Sequence, residues 1–273
     1  HAQRSLLQSS NMSNDYFRFK QFTVRQNRCA MKVGTDGTLL GAWARMPVPA
    51  SPHAGTGQHI LDVGTGTGLI ALMMAQRFPH ATVTGIDIDN DAATQAEENV
   101  LASPFATRIN IEHRSLQCLY DHACPAGTLE ESAHIRKMFS AIVCNPPYFT
   151  DSLECPDKQR SMARHASSLS YDELMHHSSG LLDPAGELSV IVPFDNMYKM
   201  NSAAAIAGLH TKRICTVKTT ACKPPKRVLM AFGRHQDGTT ETSELVIGSD
   251  GYNSMLCDFY LKIRLSADTD HQE

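Results

Sequence analysis

No apolar run in this chain approaches the roughly twenty residues that a membrane-spanning helix needs, and no basic-then-apolar signal segment opens it. A membrane partner is therefore not expected. The eight cysteines contain no C-x-x-C pair, which removes the usual grounds for a zinc site or a disulfide framework. They read as reduced thiols, small and mostly buried, of a cytoplasmic protein. His176-His177 has no further ligand at useful spacing, so no metal is expected. A large basic excess is missing too: the net charge is −3, which argues against a strongly basic nucleic-acid protein. Internal repeats and low-complexity tracts are absent.

The 273 residues, 42% of them hydrophobic, suit one α/β domain with additions. The chain does not begin with Met, and residues 1–11 are polar and unpatterned. They read as an added or disordered leader, with Met12 as the native start. Charge is unevenly spread. Arg18, Lys20, Arg25, Arg28, Lys32 and Arg45 face only Asp15 and Asp36. Between Asp195 and Asp237 there is no acid, while Lys223, Lys226 and Arg227 stand among eight cations. Lys158, Arg160 and Arg164 form a third group. Three basic segments could make one phosphate-binding rim; the alternative, for any single residue, is a solvated loop charge.

Two motifs carry the chemistry. His59-Ile60-Leu61-Asp62-Val63 is an apolar run, followed by Gly64-Thr65-Gly66-Thr67-Gly68 and then Leu69 to Ala75. This is strand, glycine turn, helix: glycines let the backbone approach a ligand, and a helix N-terminus favours an electron-rich group. A dinucleotide fingerprint needs G-x-G-x-x-G. The pattern here is G-x-G-x-G, the loop that S-adenosylmethionine enzymes use, with the preceding carboxylate close to the ligand's methionyl end. The next apolar run ends in Asp87, placed to hold two ribose hydroxyls. Asp89 or Asn90 are better placed than Asp87 to cap the helix that follows.

The second motif is Asn145-Pro146-Pro147-Tyr148, after the apolar Ala141-Ile142-Val143-Cys144. Each proline locks φ and removes a backbone donor, so a strand must end here with carbonyls left to accept. Amide, free carbonyl and exposed ring together suit a planar group bearing an NH2. The plain alternative is a strand-ending turn.

Strands are expected at 59–63, 81–87, 108–113 and from Ala141, with a fifth ending at Pro193. Helices are expected over 91–101, 171–182 and 196–209. Residues 119–137 read as a surface loop and 149–168 as a loop over the site. Arg213 to Thr220 and Arg227 to Gly233 suit an antiparallel pair closing the sheet, with a further short run over Glu244 to Ile247. The expected fold is a doubly wound, mainly parallel seven-stranded sheet with an antiparallel C-terminal pair and a short N-terminal extension. The division is 12–58 as the extension packing on the cofactor site, 59–265 as the main domain and 266–273 as a disordered tail.

Together these residues resemble the class I S-adenosylmethionine-dependent methyltransferases acting on nitrogen of planar groups. Phe17 to Val24 and Cys29 to Trp43, above all Lys32 to Gly41, narrow the resemblance to the bacterial tRNA1(Val) (adenine(37)-N6)-methyltransferases, over Phe17 to Ile263. It implies a monomeric or weakly associating, metal-free cytosolic enzyme using S-adenosyl-L-methionine on the anticodon stem-loop of a valine tRNA, with no obligate protein partner. It further implies that Asp62, Gly64, Gly66 and Gly68 flank the methionyl part, Asp87 the ribose, and Thr35 and Asp36 the N-terminal side. An acid that many such enzymes hold after strand three is replaced by Ser115-Leu116-Gln117, so Ser115 or Leu116 would meet the adenine through hydroxyl or backbone. Asn145 and the Pro146 carbonyl would accept from the adenine N6, and Tyr148 would stack on the base. Arg18, Lys20, Arg25, Lys32, Arg160, Arg164, Lys223, Lys226 and Arg227 would contact RNA. The alternatives are methylation of a ribosomal RNA or DNA base or of a release-factor glutamine, or a non-catalytic RNA-binding module.

Overall fold

The computed structural model describes residues 15–29, 32–47, 58–123, 138–147, 169–236 and 238–262. The expected leader at 1–11, the tail at 266–273 and the loop at 149–168 lie outside them. So do Met12, Tyr148, Lys158, Arg160 and Arg164.

In chain order the strands are β1 Tyr16–Arg18, β2 Thr23–Arg25, β3 His59–Val63, β4 Thr82–Asp87, β5 Ile109–His113, β6 Phe139–Cys144, β7 Leu182–Pro193, β8 His210–Lys218, β9 Arg227–Gly233 and β10 Glu241–Val246. The helices are α1 Thr35–Trp43, α2 Leu69–Arg77, α3 Asn90–Leu101, α4 Leu116–Ala123, α5 Tyr171–Leu181, α6 Met197–Ile206 and α7 Asp250–Leu256.

Alternation of apolar strands and helices produces a sheet covered on both faces. Its order is β10-β8-β9-β7-β6-β3-β4-β5, so it has eight strands where seven were expected. The additional strand, β10, pairs parallel to β8, outside the antiparallel β8–β9 and β7–β9 ladders. Its first four residues are exposed, so it lacks the apolar signal of a covered strand. β6 shows the opposite case: all six residues are buried, Ala141 and Val143 towards one core and Ile142 and Cys144 towards the other. Residues 183–186 form the expected turn as an excursion within β7, because Leu182 pairs with Phe139 and Glu187 already with Ala141.

Five further elements, β1, β2, α1, α4 and α7, were not anticipated. β1 and β2 form a separate antiparallel pair. α1 packs on α2, where Gly41 lies so close to the Met73 side chain that a Cβ would meet its sulfur at 2.7 Å. α4 opens the stretch expected as a surface loop, of which 124–137 lie outside the described residues.

The strand order reverses between β3 and β6, where a doubly wound sheet forms its ligand crevice. Val63 pairs with Cys144 across that boundary. The glycine turn and the Asn-Pro-Pro turn therefore leave the sheet side by side at the same level.

Candidate active site

The glycine turn is held from beneath. Asp62 is fully buried and takes the Thr65 hydroxyl at 2.7 Å and the Ala71 amide at 3.1 Å on one oxygen, while its Oδ1 has no hydrogen-bond partner. Burial pushes its carboxyl up to about 7. Gly85 makes this possible, since a Cβ there would meet Thr65 Oγ1 at 2.8 Å. Gly64 and Gly66 have φ of 68° and 56°, a region closed to most side chains. The amides of Gly64 and Thr65 both donate to the Ile86 carbonyl at 2.9 Å.

Asp87 ends β4 and fastens the turn from the other side. One of its oxygens accepts the Gly66 amide at 2.9 Å and the other the Asp89 amide at 2.9 Å. Asp89, not Asp87, caps α3, accepting from Asp91 and Ala92.

These turns surround a cavity of about 570 Å³, within the range of about 300–1,000 Å³ usual for small-molecule sites. Gly64, Gly66 and Asp87 line it from the first motif, and Asn145, Pro146 and Pro147 from the second. Ser115 and Leu116 contribute from the start of α4. Leu169, just before α5, and Glu173, in its first turn, close one side, and the start of α5 is locked by a reciprocal box between Ser170 and Glu173. The bonds from Ser170 hold the Glu173 carboxyl below its usual value. Gln117 reaches Glu173 across the cavity at 3.4 Å.

The wall is acidic. Asp87, Asp89 and Glu173 line it against the cation of Arg114. The Cys29 thiol, on the same wall, is pushed up to about 11 by burial and then by Asp87, Asp89 and Asp91. Burial likewise raises the Cys144 thiol. Such a field favours a cationic ligand.

The residues fit the expected cofactor. Bare backbone at Gly64 faces open space, with nothing within 4 Å of where a Cβ would stand, which leaves room for close approach of a ligand. Ile88, 57% exposed although apolar, lines the cavity with Ile86 and Leu116 and offers surface for a flat heterocycle. A carboxylate for hydroxyls and an acidic wall for a sulfonium complete the set.

Several expected residues stand elsewhere. Asp62 lies beneath the turn, and Gly68, with φ 78°, serves as the N-cap of α2, packed towards Ala96. Thr35 and Asp36 open α1 outside the cavity lining, where Asp36 pairs with Arg227 at 2.8 Å. Arg18, Lys20, Arg25, Lys32, Lys223 and Lys226 are exposed. Lys20 lies with Gln76 and Arg77 at a separate groove. Cys29, Ile88, Arg114, Gln117, Leu169 and Glu173 were missed, although Ile88, Arg114 and Gln117 adjoined residues the sequence singled out.

Comparison with known proteins agrees with the geometry. The family model described as "Methyltransferase small domain" matches residues 46–204. A tRNA1(Val) (adenine(37)-N6)-methyltransferase of Phocaeicola vulgatus is 44% identical over 260 residues, covering 92% of this chain and 100% of its own. The chain belongs to this methyltransferase family. The enzyme of the same name from Vibrio cholerae is 37% identical over 94% of this chain and all of its own. Among solved structures, a predicted O-methyltransferase of Agrobacterium tumefaciens superposes with a TM-score of 0.52 at 20% identity, over 78% of this chain and 89% of its own, which supports the shared fold. Among the described residues no group of three or more His, Cys, Asp or Glu could hold a metal ion, and no helix is long and apolar enough to cross a membrane.

Proposed function

We infer that this chain transfers the methyl group of S-adenosyl-L-methionine to the exocyclic N6 of adenine 37 in a valine tRNA, docking the anticodon stem-loop, in the cytoplasm. The observation that carries this reading is similarity to enzymes so named along the whole of their length. The side-by-side emergence of the two turns, fixed by the Val63–Cys144 pairing, supports it.

S-adenosyl-L-methionine supplies an activated methyl on a sulfonium. The glycine turn gives its chain a close, unhindered backbone, Asp87 takes the ribose hydroxyls, and the acidic wall offsets the positive charge. The contact of the cofactor's adenine falls to Ser115 and Leu116. Asn145 acts on the other reactant. Adenine N6 is a poor nucleophile because its lone pair is delocalised into the ring. By accepting a hydrogen bond from each of the two N6–H groups, the Asn145 amide oxygen and the Pro146 carbonyl would draw the nitrogen towards a pyramidal geometry. They also stabilise the positive charge that grows there as the bond forms. Pro147 and Pro146 keep these acceptors rigid. Tyr148 stacks on the extruded base, a contact worth about 1–3 kcal/mol in single-strand binders. An anticodon loop presents the base unpaired, so extrusion costs little.

The test is methyl transfer from labelled cofactor to total tRNA lacking this modification, followed by nucleoside analysis. N6-methyladenosine should appear in a valine tRNA, and Asn145→Ala should abolish turnover while cofactor affinity is kept. Label passing instead to ribosomal RNA, DNA or a release factor would overturn the substrate assignment. Full activity of Asn145→Ala would overturn the role given to that amide.

A further inference from the structure

The carboxyl edge of the sheet continues past the cavity. β7 ends at Pro193, which pairs with Arg227 at the start of β9, and β8 ends at Lys218 on the same edge. The β8–β9 connection is tied there by its backbone: the Lys226 amide donates to the Val217 carbonyl at 2.9 Å, and the Lys226 carbonyl accepts from Phe194 at 3.1 Å. Phe194 opens a 3-10 turn, Phe194–Asn196, that leads straight into α6. Asn196 turns its amide inward to donate to the Tyr171 hydroxyl at 3.0 Å. Tyr171 stands between Leu169 and Glu173, which line the cavity together with Asn145, so this edge adjoins the cavity.

Eight cations fall between Asp195 and Asp237, and at least six of them, Lys199 included, interact with other groups of the fold. Arg213 pairs with Glu187, Lys218 with Glu244 and Arg227 with Asp36; Arg234 donates to the Leu182 carbonyl and Lys212 to that of His235. Lys223 and Lys226 are exposed and make no ion pair with the described residues. Pro224 and Pro225 stand between them, fixing φ at both intervening positions and so restricting their spacing. Four residues beyond Phe194, in the first turn of α6, stands Tyr198, 81% exposed. A large ring held in solvent one turn beyond Phe194, whose amide bonds to the Lys226 carbonyl, together with cations that pair with no described carboxylate, has the composition of a single-strand binding platform: aromatic face for a base, ammonium groups for phosphate. Asp195 is the carboxylate on the turn itself and would border the platform.

We propose that Tyr198, with Lys223 and Lys226, forms an RNA-docking platform beside the methyl-transfer cavity, where the ring stacks on an unpaired base and the two lysines hold its neighbouring phosphates. The proposal rests on the tRNA reading above. It assigns the platform to nucleotides other than the one methylated, which sits over Asn145. Loss of the platform therefore weakens RNA capture and leaves the chemical step intact.

The experiment measures the full chain's affinity for unmodified valine tRNA, its methyl-transfer KM and kcat for that tRNA, and its cofactor affinity. Tyr198→Ala should weaken tRNA binding and raise KM roughly tenfold or more, with kcat at saturating tRNA and cofactor affinity unchanged. Tyr198→Phe should restore binding and Tyr198→Ile should not, since only the former keeps a ring. Lys223→Gln with Lys226→Gln should flatten the dependence of log affinity on log salt by about 0.7 for each lost phosphate contact. Thermal unfolding, unchanged for such exposed positions, separates these effects from misfolding. Wild type binding tRNA while Tyr198→Ala binds it equally well would overturn the platform alone. Wild type failing to bind or methylate any tRNA would overturn the platform together with the function on which it rests.

Discussion

At the scale of single residues, the turn beneath the cofactor depends on one buried carboxyl. Burial raises the Asp62 carboxyl from 3.8 to about 7, so the folded chain holds its proton to higher pH than the unfolded chain does. The folded state then loses stability relative to the unfolded one as pH rises from about 4 to about 7, and the penalty is fully present above that window. Asp62→Asn mimics the protonated form and can still accept from Thr65 and Ala71. Comparing urea midpoints without cofactor, the variant should gain on wild type between pH 5 and pH 8. A difference independent of pH would show that this carboxyl does not titrate there.

At the scale of elements, two glycines of one motif have separate duties. Gly68 sits at φ 78° with Ala96 Cβ 3.3 Å from where its own would stand. Gly64, at φ 68°, has open space instead. Alanine at either position should cost about 1–2 kcal/mol in backbone conformation. Gly68→Ala adds crowding between α2 and α3 and should show mainly as lower thermal stability. Gly64→Ala projects into the cradle and should show mainly as weaker cofactor binding by calorimetry. Equal loss of binding in both would argue against this division. The start of α5 offers a second test. Ser170 and Glu173 cap it reciprocally, so Ser170→Ala should lower stability by about 1 kcal/mol in chemical denaturation. Both helix and cap lie in an S-x-x-E pattern legible before any fold is known. The short α1 and the β1–β2 pair were not legible, because neither has an apolar period of its own and each is defined by what it packs against.

At the scale of the whole molecule, Glu187 of β7 and Arg213 of β8 form an ion pair at 7% and 5% side-chain exposure, separated by β9 in the sheet order. The Trp43 ring of α1 lies 3.8 Å from the guanidinium carbon, tying the N-terminal region to the far half of the sheet. Removing one partner strands a buried charge. Glu187→Leu alone should cost about 3–5 kcal/mol, whereas pairing it with Arg213→Met should recover most of that loss. Urea unfolding of the two singles and the double would show it, and strictly additive losses would refute the coupling.

The same scale separates what was readable in advance from what was not. Gly64, Gly66, Asp87 and Asn145 were legible as cavity-lining positions because each is a local backbone requirement: a turn at positive φ, a strand ending, a proline stop. Alternating runs were enough for a doubly wound sheet, since a strand buried on both faces must be apolar throughout. The eighth strand was not determined locally, for β10 is mostly exposed and owes its pairing to β8. Nor was the cavity's full wall. Cys29, Arg114 and Glu173 come from distant segments brought together only when the strand order reverses between β3 and β6. The partners of Asp36 and Arg213 were settled the same way. Spacing along a chain records which residues can turn or cap, but a charge finds its neighbour only across the folded sheet.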